Sequence, residues 1–461
     1  CDGCMHDYVG FPPAKVLIRG YLYKLRKKFE PIFRAYFSQR MQKTTMGIKK
    51  RINFEKNRQK YLCGEHNHAS QFVDYLISES RNHKKILICG WYGTETLGDK
   101  AILGGIISGL KENFGDVDIH LTSLEPYVSK MTLQQMPELN GCHLHTISES
   151  IGLANSMDLV VFGGGPIMAI NTLVKMIAIF ESAFDARVPT LLAGCGVGPL
   201  GEPYYNKAIK KLLELSSFRI YRDRKSLLLA ESIGINTDSD LIAEDPAFTW
   251  LDERRNKCQS KRKGYNLLLG LREWPHHQYA PEMGKQKAEK VKKNWEMETI
   301  IALEILLKKF PNLRIIPFPM CTNHIGGDDR WFYRRLFRKH ERLQRAVDKS
   351  YLNAEISPTD AIDVFCNATA SITMRYHSLV FSISLGVPAV SIDYTLGRGK
   401  VKALADKYNV PQMSLKKTDS KFLVEQLSDI LEFKRFENGH IREQLNLKFK
   451  GAMKTAVSNI Y

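Results

Sequence analysis

In the stretch MRYHSLVFSISLGVPAVSIDY, Met374 to Tyr394, Arg375 and His377 interrupt an apolar run where a buried strand should hand over to a helix. A packed core would gain from small or aliphatic residues there, so the two cations either sit on a solvated loop or face something anionic. Arginine's planar fork matches phosphate and carboxylate in a bidentate way. Histidine is the side chain suited to moving protons near neutral pH. Two further arginines stand at the ends of apolar runs, Arg272 in LLLGLREW and Arg222 in YRDRKSLLLAESIGI. Each alone could be structural, and Arg222 with Asp223 could form only a local ion pair, with Asp223 capping the next helix. Three together predict a convergent anion pocket. Asp245 precedes Pro246 in AEDPAF, a rigid, extended dipeptide.

Glycine-rich loops follow the same apolar runs. GWYGTETLGDKAIL places Gly90, Gly93 and Gly98 after the first, with Asp99 as a helix cap and open amides that suit an anion. It fits neither the dinucleotide fingerprint nor the phosphate loop of nucleotide hydrolases. Gly163, Gly164 and Gly165 end DLVVFGGG, and Pro166 is expected to begin a helix. Gly194, Gly196 and Gly198 repeat the arrangement in AGCGVGPL, and both loops would let backbone amides approach a ligand closely.

The elements that must position these residues alternate. KKILICG, DIHLTSL, DLVVFGGG, PTLLAGCGVG and FRIYRD read as buried strands separated by helical stretches, which predicts a parallel sheet covered on both faces. The pattern pauses at LDERRNKCQSKRKG and restarts with YNLLLGLRE, a long helix from KQKAEKVKK onward, LRIIPFPM, ASITMR and PAVSIDY. The expectation is a basic extension over residues 1–83, one Rossmann-like α/β domain over 84–258 and a second over 259–461 with a helical tail that packs back across the interdomain face. Ligands in open parallel sheets bind beyond the carboxyl ends of the strands, where the cations stand.

The ordered set of GWYGTETLGDKAIL, VVFGGGPI, GCGVGPL, YRDRKSLLLAESIGI, AEDPAF, LLLGLREW and MRYHSLVFSISLGVPAVSIDY resembles the polysaccharide pyruvyltransferase family over roughly residues 84–402. Thr96 stands where family members often carry Asn, and Pro166 replaces a fourth glycine. The resemblance implies two facing Rossmann-like domains of the glycosyltransferase-B-like kind. It implies transfer of a pyruvyl group from phosphoenolpyruvate to a sugar of a surface polysaccharide or its precursor, as a ketal, with release of phosphate. Arg375, Arg272 and Arg222 would bind the donor, and Gly163, Gly164, Gly165, Gly196 and Asp99 would line the substrate site. His377 would act as acid or phosphate stabiliser, with Asp223 or Asp245 orienting it or serving as base. The chemistry calls for no metal and no cofactor. The rival reading is a nucleotide-sugar-dependent glycosyltransferase of similar fold, for which no acidic ribose motif is visible in the second domain.

The bulk numbers limit other classes. The chain has 461 residues, enough for two domains, and 44% apolar with 25% charged residues is ordinary for a globular protein. No run reaches the ~18 apolar residues of a membrane span. PIMAINTLVKMIAIF is broken by Asn171 and Lys175 and reads as a buried helix. Nine scattered cysteines argue against a disulfide framework and for a reducing compartment, the cytoplasm. The chain begins at Cys1, which suits processing or a piece of something longer. A formal charge of +18 favours anionic partners, but no nucleic-acid-binding motif is present. YLYKLRKKFEPIFRAYF mixes aromatics and cations as a peripheral membrane helix would, suiting a lipid-linked glycan acceptor at the inner face, although an ordinary amphipathic helix is the simpler reading. Cys1, Cys4 and His6, with Cys63, His66 and His68, have spacings that could hold zinc or part of an iron–sulfur cluster, but only one half has the short spacing usual at both ends, so unliganded surface residues are preferred.

Overall fold

The computed structural model describes residues 83–460 apart from 95, 164, 256–263, 281, 323–326, 339, 354–355, 398 and 434–439. Gly164, the N-terminal Cys and His residues and the basic segment before residue 83 therefore lie outside the described residues.

Apolar runs too short for helices become strands, and their burial on both faces explains the absence of polar alternation. Along the first unit run β1 (Lys84–Gly90), α1 (Leu97–Phe114), β2 (Val117–Thr122), β3 (His143–His145), β4 (Leu159–Gly163), β5 (Pro166–Ile167), β6 (Thr190–Val197), β7 (Phe218–Tyr221), α2 (Arg224–Ser232), β8 (Leu241–Ile242) and α3 (Pro246–Asp252). Their sheet has the order β3-β2-β1-β4-β6-β7-β8, with β5 beside β6, and its pairings are parallel. The second unit contains β9 (Tyr265–Gly270), α4 (Lys285–Lys309), β10 (Leu313–Pro317), α5 (Asp329–Phe337), β11 (Ala370–Thr373), α6 (Tyr376–Leu385), β12 (Ala389–Asp393), α7 (Lys400–Lys407) and β13 (Gln412–Ser414). Its sheet, β10-β9-β11-β12-β13, is also parallel. The strand order reverses in each sheet, leaving a crevice beyond the strand ends. This is the expected two-unit, glycosyltransferase-B-like arrangement.

Two local expectations change. Pro166 opens the short strand β5 against Gly196, and the following helix starts only at Leu173. The tail divides between the units. α8 (Ser420–Phe433) stays on the second, where Glu298 accepts from the Ser420 amide at 2.9 Å and Lys309 pairs with Glu432 at 2.6 Å. α9 (His440–Ile460) returns to the first, its Lys450 reaching Glu112 at 2.6 Å and Glu253 at 3.1 Å.

Glycines set how closely the helices approach. A side chain at Gly104 would overlap the Trp250 ring, and one at Gly105 would overlap the Pro246 carbonyl, so α1 and α3 touch backbone to backbone. A Cβ added at Gly451, inside α9, would meet nothing within 4 Å. Gly105→Ala should therefore cost about 1–3 kcal/mol through overpacking, whereas Gly451→Ala should stabilise by about 0.5–1 kcal/mol through helix propensity. Denaturant unfolding of the two variants checks the contrast, and equal effects would contradict the packing described.

Candidate active site

β7 ends at Tyr221, and the next side chain turns inward. Arg222 is 2% exposed, with Nη1 at 3.1 Å from Asp245 Oδ2 and Nε at 3.6 Å from Asp223 Oδ2. Its guanidinium also lies 4.7 Å from the centre of the Tyr376 ring, a cation–π contact between the two units. The missing side chain of Gly196 makes this seat, since a Cβ there would overlap the guanidinium.

Asp223 caps α2, its Oδ1 accepting from the Ser226 amide at 2.7 Å and hydroxyl at 2.8 Å. With Oδ1 held by the cap and Oδ2 facing Arg222, it suits positioning better than base work. Asp245 caps α3 through the Ala247 amide at 3.1 Å and is fully buried behind the cleft wall. Burial alone would raise its pKa, but His377, Arg222 and that amide together hold it well below the ordinary carboxylate range.

His377 comes from the other unit, in the first turn of α6, and its ring lies across Gly98 so closely that any side chain there would displace it. Its Nε2 is 3.5 Å from Asp245 Oδ2, too long for a full hydrogen bond, and is buried without another partner. Burial pushes its pKa down, and Lys400 and Arg222 add to this while Asp245 opposes them. Arg375 occupies the position before α6. Its Nη2 donates to Asp329 Oδ1 at 2.6 Å and to the Gly327 carbonyl at 3.0 Å. Arg272, two residues past β9, lies 5.6 Å from the Tyr394 ring. The Nε donors of both arginines are buried with no hydrogen-bond partner among the described residues.

These side chains line one cleft of about 610 Å³ between the units. The first unit contributes Asp99, Arg222 and Asp223, and the second Arg272, Arg375, His377 and Lys400. An aliphatic wall of Leu124, Met168, Ile170, Leu200 and Leu229 completes the first-unit side. Lys400, at the start of α7, carries no signal in the sequence, because it follows β12 only after a loop. Its Nζ lies 4.7 Å from the Tyr376 ring, and burial beside Arg222 lowers its pKa to about 7. Asp99 is the third residue of α1 rather than its cap, a place taken by Thr96 without a side-chain bond. Burial raises its pKa to about 7, against the opposing pull of Lys400 and of Thr94, whose hydroxyl is 3.4 Å away.

The glycines have a different use from the one expected. Gly163 and Gly196 do not line the cleft. Gly163 leaves room for Ile106 and Tyr92, and Gly165, at φ +92°, sits under Trp91 and Asp99. Their missing side chains let neighbouring side chains into place, and Gly198 of the second loop lines the cleft. Among the described residues, no group of three or more His, Cys, Asp or Glu could hold a metal ion.

Asp245→Asn would leave the buried Arg222 with only Asp223, at 3.6 Å, as a charge partner and should cost about 3 kcal/mol, the low end for breaking a buried pair. Because the folded carboxyl titrates below its unfolded value, its contribution is present above about pH 4 and fades as pH falls towards the folded value. Unfolding curves should show the gap between parent and variant narrowing below about pH 4; a gap independent of pH would contradict the assignment.

The polysaccharide pyruvyl transferase model matches residues 97–395, the span from the start of α1 to just past β12. Comparison with curated proteins finds no match. Among solved structures the chain is similar to UDP-N-acetylglucosamine 2-epimerases. That from Rickettsia bellii has TM-score 0.54 and 13% identity over 82% of this chain and 96% of the other. That from Methanocaldococcus jannaschii has TM-score 0.52 and 12% identity over 82% and 99%. That from Neisseria meningitidis, bound to UDP-GlcNAc, has TM-score 0.50 and 13% identity over 81% and 98%. Likeness at such identities shows the fold alone. The family model spans well over half of the chain, and the protein belongs to the polysaccharide pyruvyl transferase family.

Proposed function

We propose that the protein transfers a pyruvyl group from phosphoenolpyruvate to a glycan, closing a ketal on two hydroxyls and releasing phosphate. The observation that carries this reading is the convergence of Arg222, Arg272, Arg375 and Lys400 on one cleft, all three arginines having buried Nε donors with no hydrogen-bond partner among the described residues. A donor with a carboxylate and a phosphate on a three-carbon frame needs such a density of cations. Arg272 and Arg375 take its anionic groups, and Arg222 and Lys400 balance the remaining charge. The acceptor, a glycan or lipid-linked glycan, lies along the aliphatic first-unit wall.

Carbon 3 of the donor accepts a proton, which makes carbon 2 electrophilic. One sugar hydroxyl adds to carbon 2 and gives up its proton, the carbon–oxygen bond to phosphate breaks, and the second hydroxyl adds and gives up its own. The balance is one proton taken up and two released, one of which leaves with the phosphate. His377 would donate at carbon 3 once the anionic donor offsets the burial, and the smaller pull of Lys400 and Arg222, that depress its pKa. Asp99, with a pKa of about 7 at the cleft surface, suits base work on the acceptor. Asp245 holds His377 and Arg222 in place, and Asp223 positions α2 and Arg222. The reaction belongs on the cytoplasmic side, where phosphoenolpyruvate is available, and this chemistry uses no metal or further cofactor.

Calorimetry with phosphoenolpyruvate tests the reading. Saturable binding should weaken about 10- to 100-fold in Arg272→Ala, which removes no ion pair among the described residues, and by a similar factor in Arg375→Ala. His377→Ala should bind within a few-fold and lose turnover. No binding of phosphoenolpyruvate, with binding of a uridine or guanosine diphosphate instead, would sink the proposal and favour a glycosyltransferase.

Binding should also take up a proton near neutral pH, because His377 and Lys400 have lowered values in the free cleft and an anion raises them. The observed enthalpy should then vary with the ionisation enthalpy of the buffer. An enthalpy that is the same in every buffer would contradict the electrostatic account.

A further inference from the structure

The long helix α4 carries an apolar stripe on its solvent side. Met297, Ile301 and Ile305 are 56%, 37% and 38% exposed, and their four-residue spacing puts them on one face. Lys290, Lys293 and Lys308, also exposed, extend that face at both ends. The four glutamates of α4 are all half-buried, and three are engaged: Glu296 with Arg335 at 2.8 Å, Glu298 with the Ser420 amide and Glu304 with His340 at 3.6 Å.

α5 packs beside α4, with Phe332 stacked on Trp295 at 5.6 Å and Arg335 paired with Glu296. It exposes Trp331 to 61%, the most exposed large apolar side chain among the described residues, with Arg334, Arg335 and Arg338 also at the surface. This is RWFYRRLFRKHER, a basic cluster that the cleft does not use. Apolar side chains, a tryptophan and cations, with the 39% exposed Glu304 paired to His340, form a combination that matches a lipid–water interface, where apolar groups enter the acyl boundary and cations meet anionic headgroups.

We infer that the face built by α4 and α5 docks the protein on the surface of an anionic lipid bilayer. The charge complementarity chooses this occupant over a second copy of the chain, whose equally basic face would repel it. The face is joined to the cleft through α5: Asp329, two residues before Trp331, is the partner that holds Arg375. The inference does not depend on the identity of the donor.

Sedimentation of the full chain with phosphatidylcholine vesicles, with and without phosphatidylglycerol, tests it. The parent should bind the anionic vesicles and leave the neutral ones. Met297→Glu, Ile301→Glu and Ile305→Glu combined should weaken binding about tenfold or more, and Trp331→Ser should weaken it several-fold. Both variants should keep the parent's circular dichroism and thermal unfolding midpoint, which shows that the fold is intact whatever the donor. Absence of vesicle binding by the parent, or parent-like binding by both variants, overturns the inference. So does a concentration-dependent dimer that the triple variant abolishes, or preferential binding of nucleic acid through the same residues.

Discussion

The carboxylate of Asp245 meets three demands at once. It caps α3, neutralises Arg222 at the end of β7, and faces His377 across the division between the two units. A carboxylate with no exposure survives only where such partners repay its lost hydration. The approach of the units follows from that arrangement. His377 can reach Asp245 because Gly98 has no side chain, and α3 can lie against α1 because Gly104 and Gly105 have none. The absent side chains and the buried charge form one design, in which close backbone approach brings a histidine of one sheet to an acid of the other.

The cleft follows the same economy of charge. Arg222 and Lys400 reach the Tyr376 ring from different units, each at 4.7 Å, so an aromatic face takes part of the load that a second carboxylate would otherwise carry. Arg375 has Asp329, while Arg272 has an aromatic neighbour and no acid among the described residues. Positive charge is thus only partly neutralised within the protein. Burial chiefly, and that imbalance with it, lowers His377 and Lys400, and a doubly anionic ligand would offset both.

Much of this is legible in sequence because strand ends are legible. A four- to eight-residue apolar run followed by Arg222, Arg272 or Arg375 places a cation at the crevice by the topology of parallel sheets alone. Lys400 escapes because a loop separates it from β12 and nothing local marks where that loop folds. The glycines read as ligand-facing because sequence shows that a side chain is missing but not what fills its space. At Gly98 that is His377, and at Gly196 it is Arg222. Pro166 suits a first helical turn as well as an edge strand, and only the neighbouring Gly196 decides between them. The final helix crosses to the first unit through Phe449 and Met453 against Gly109, a contact made with a residue more than three hundred positions away.

The central claim is that the cationic side of the cleft holds a small dianionic donor against His377. A crystal structure with phosphoenolpyruvate bound tests it most directly. The account predicts the carboxylate and phosphate on Arg272 and Arg375, with carbon 3 turned towards His377. A ligand bound away from these arginines, or with carbon 3 facing away from His377 towards solvent, would contradict it.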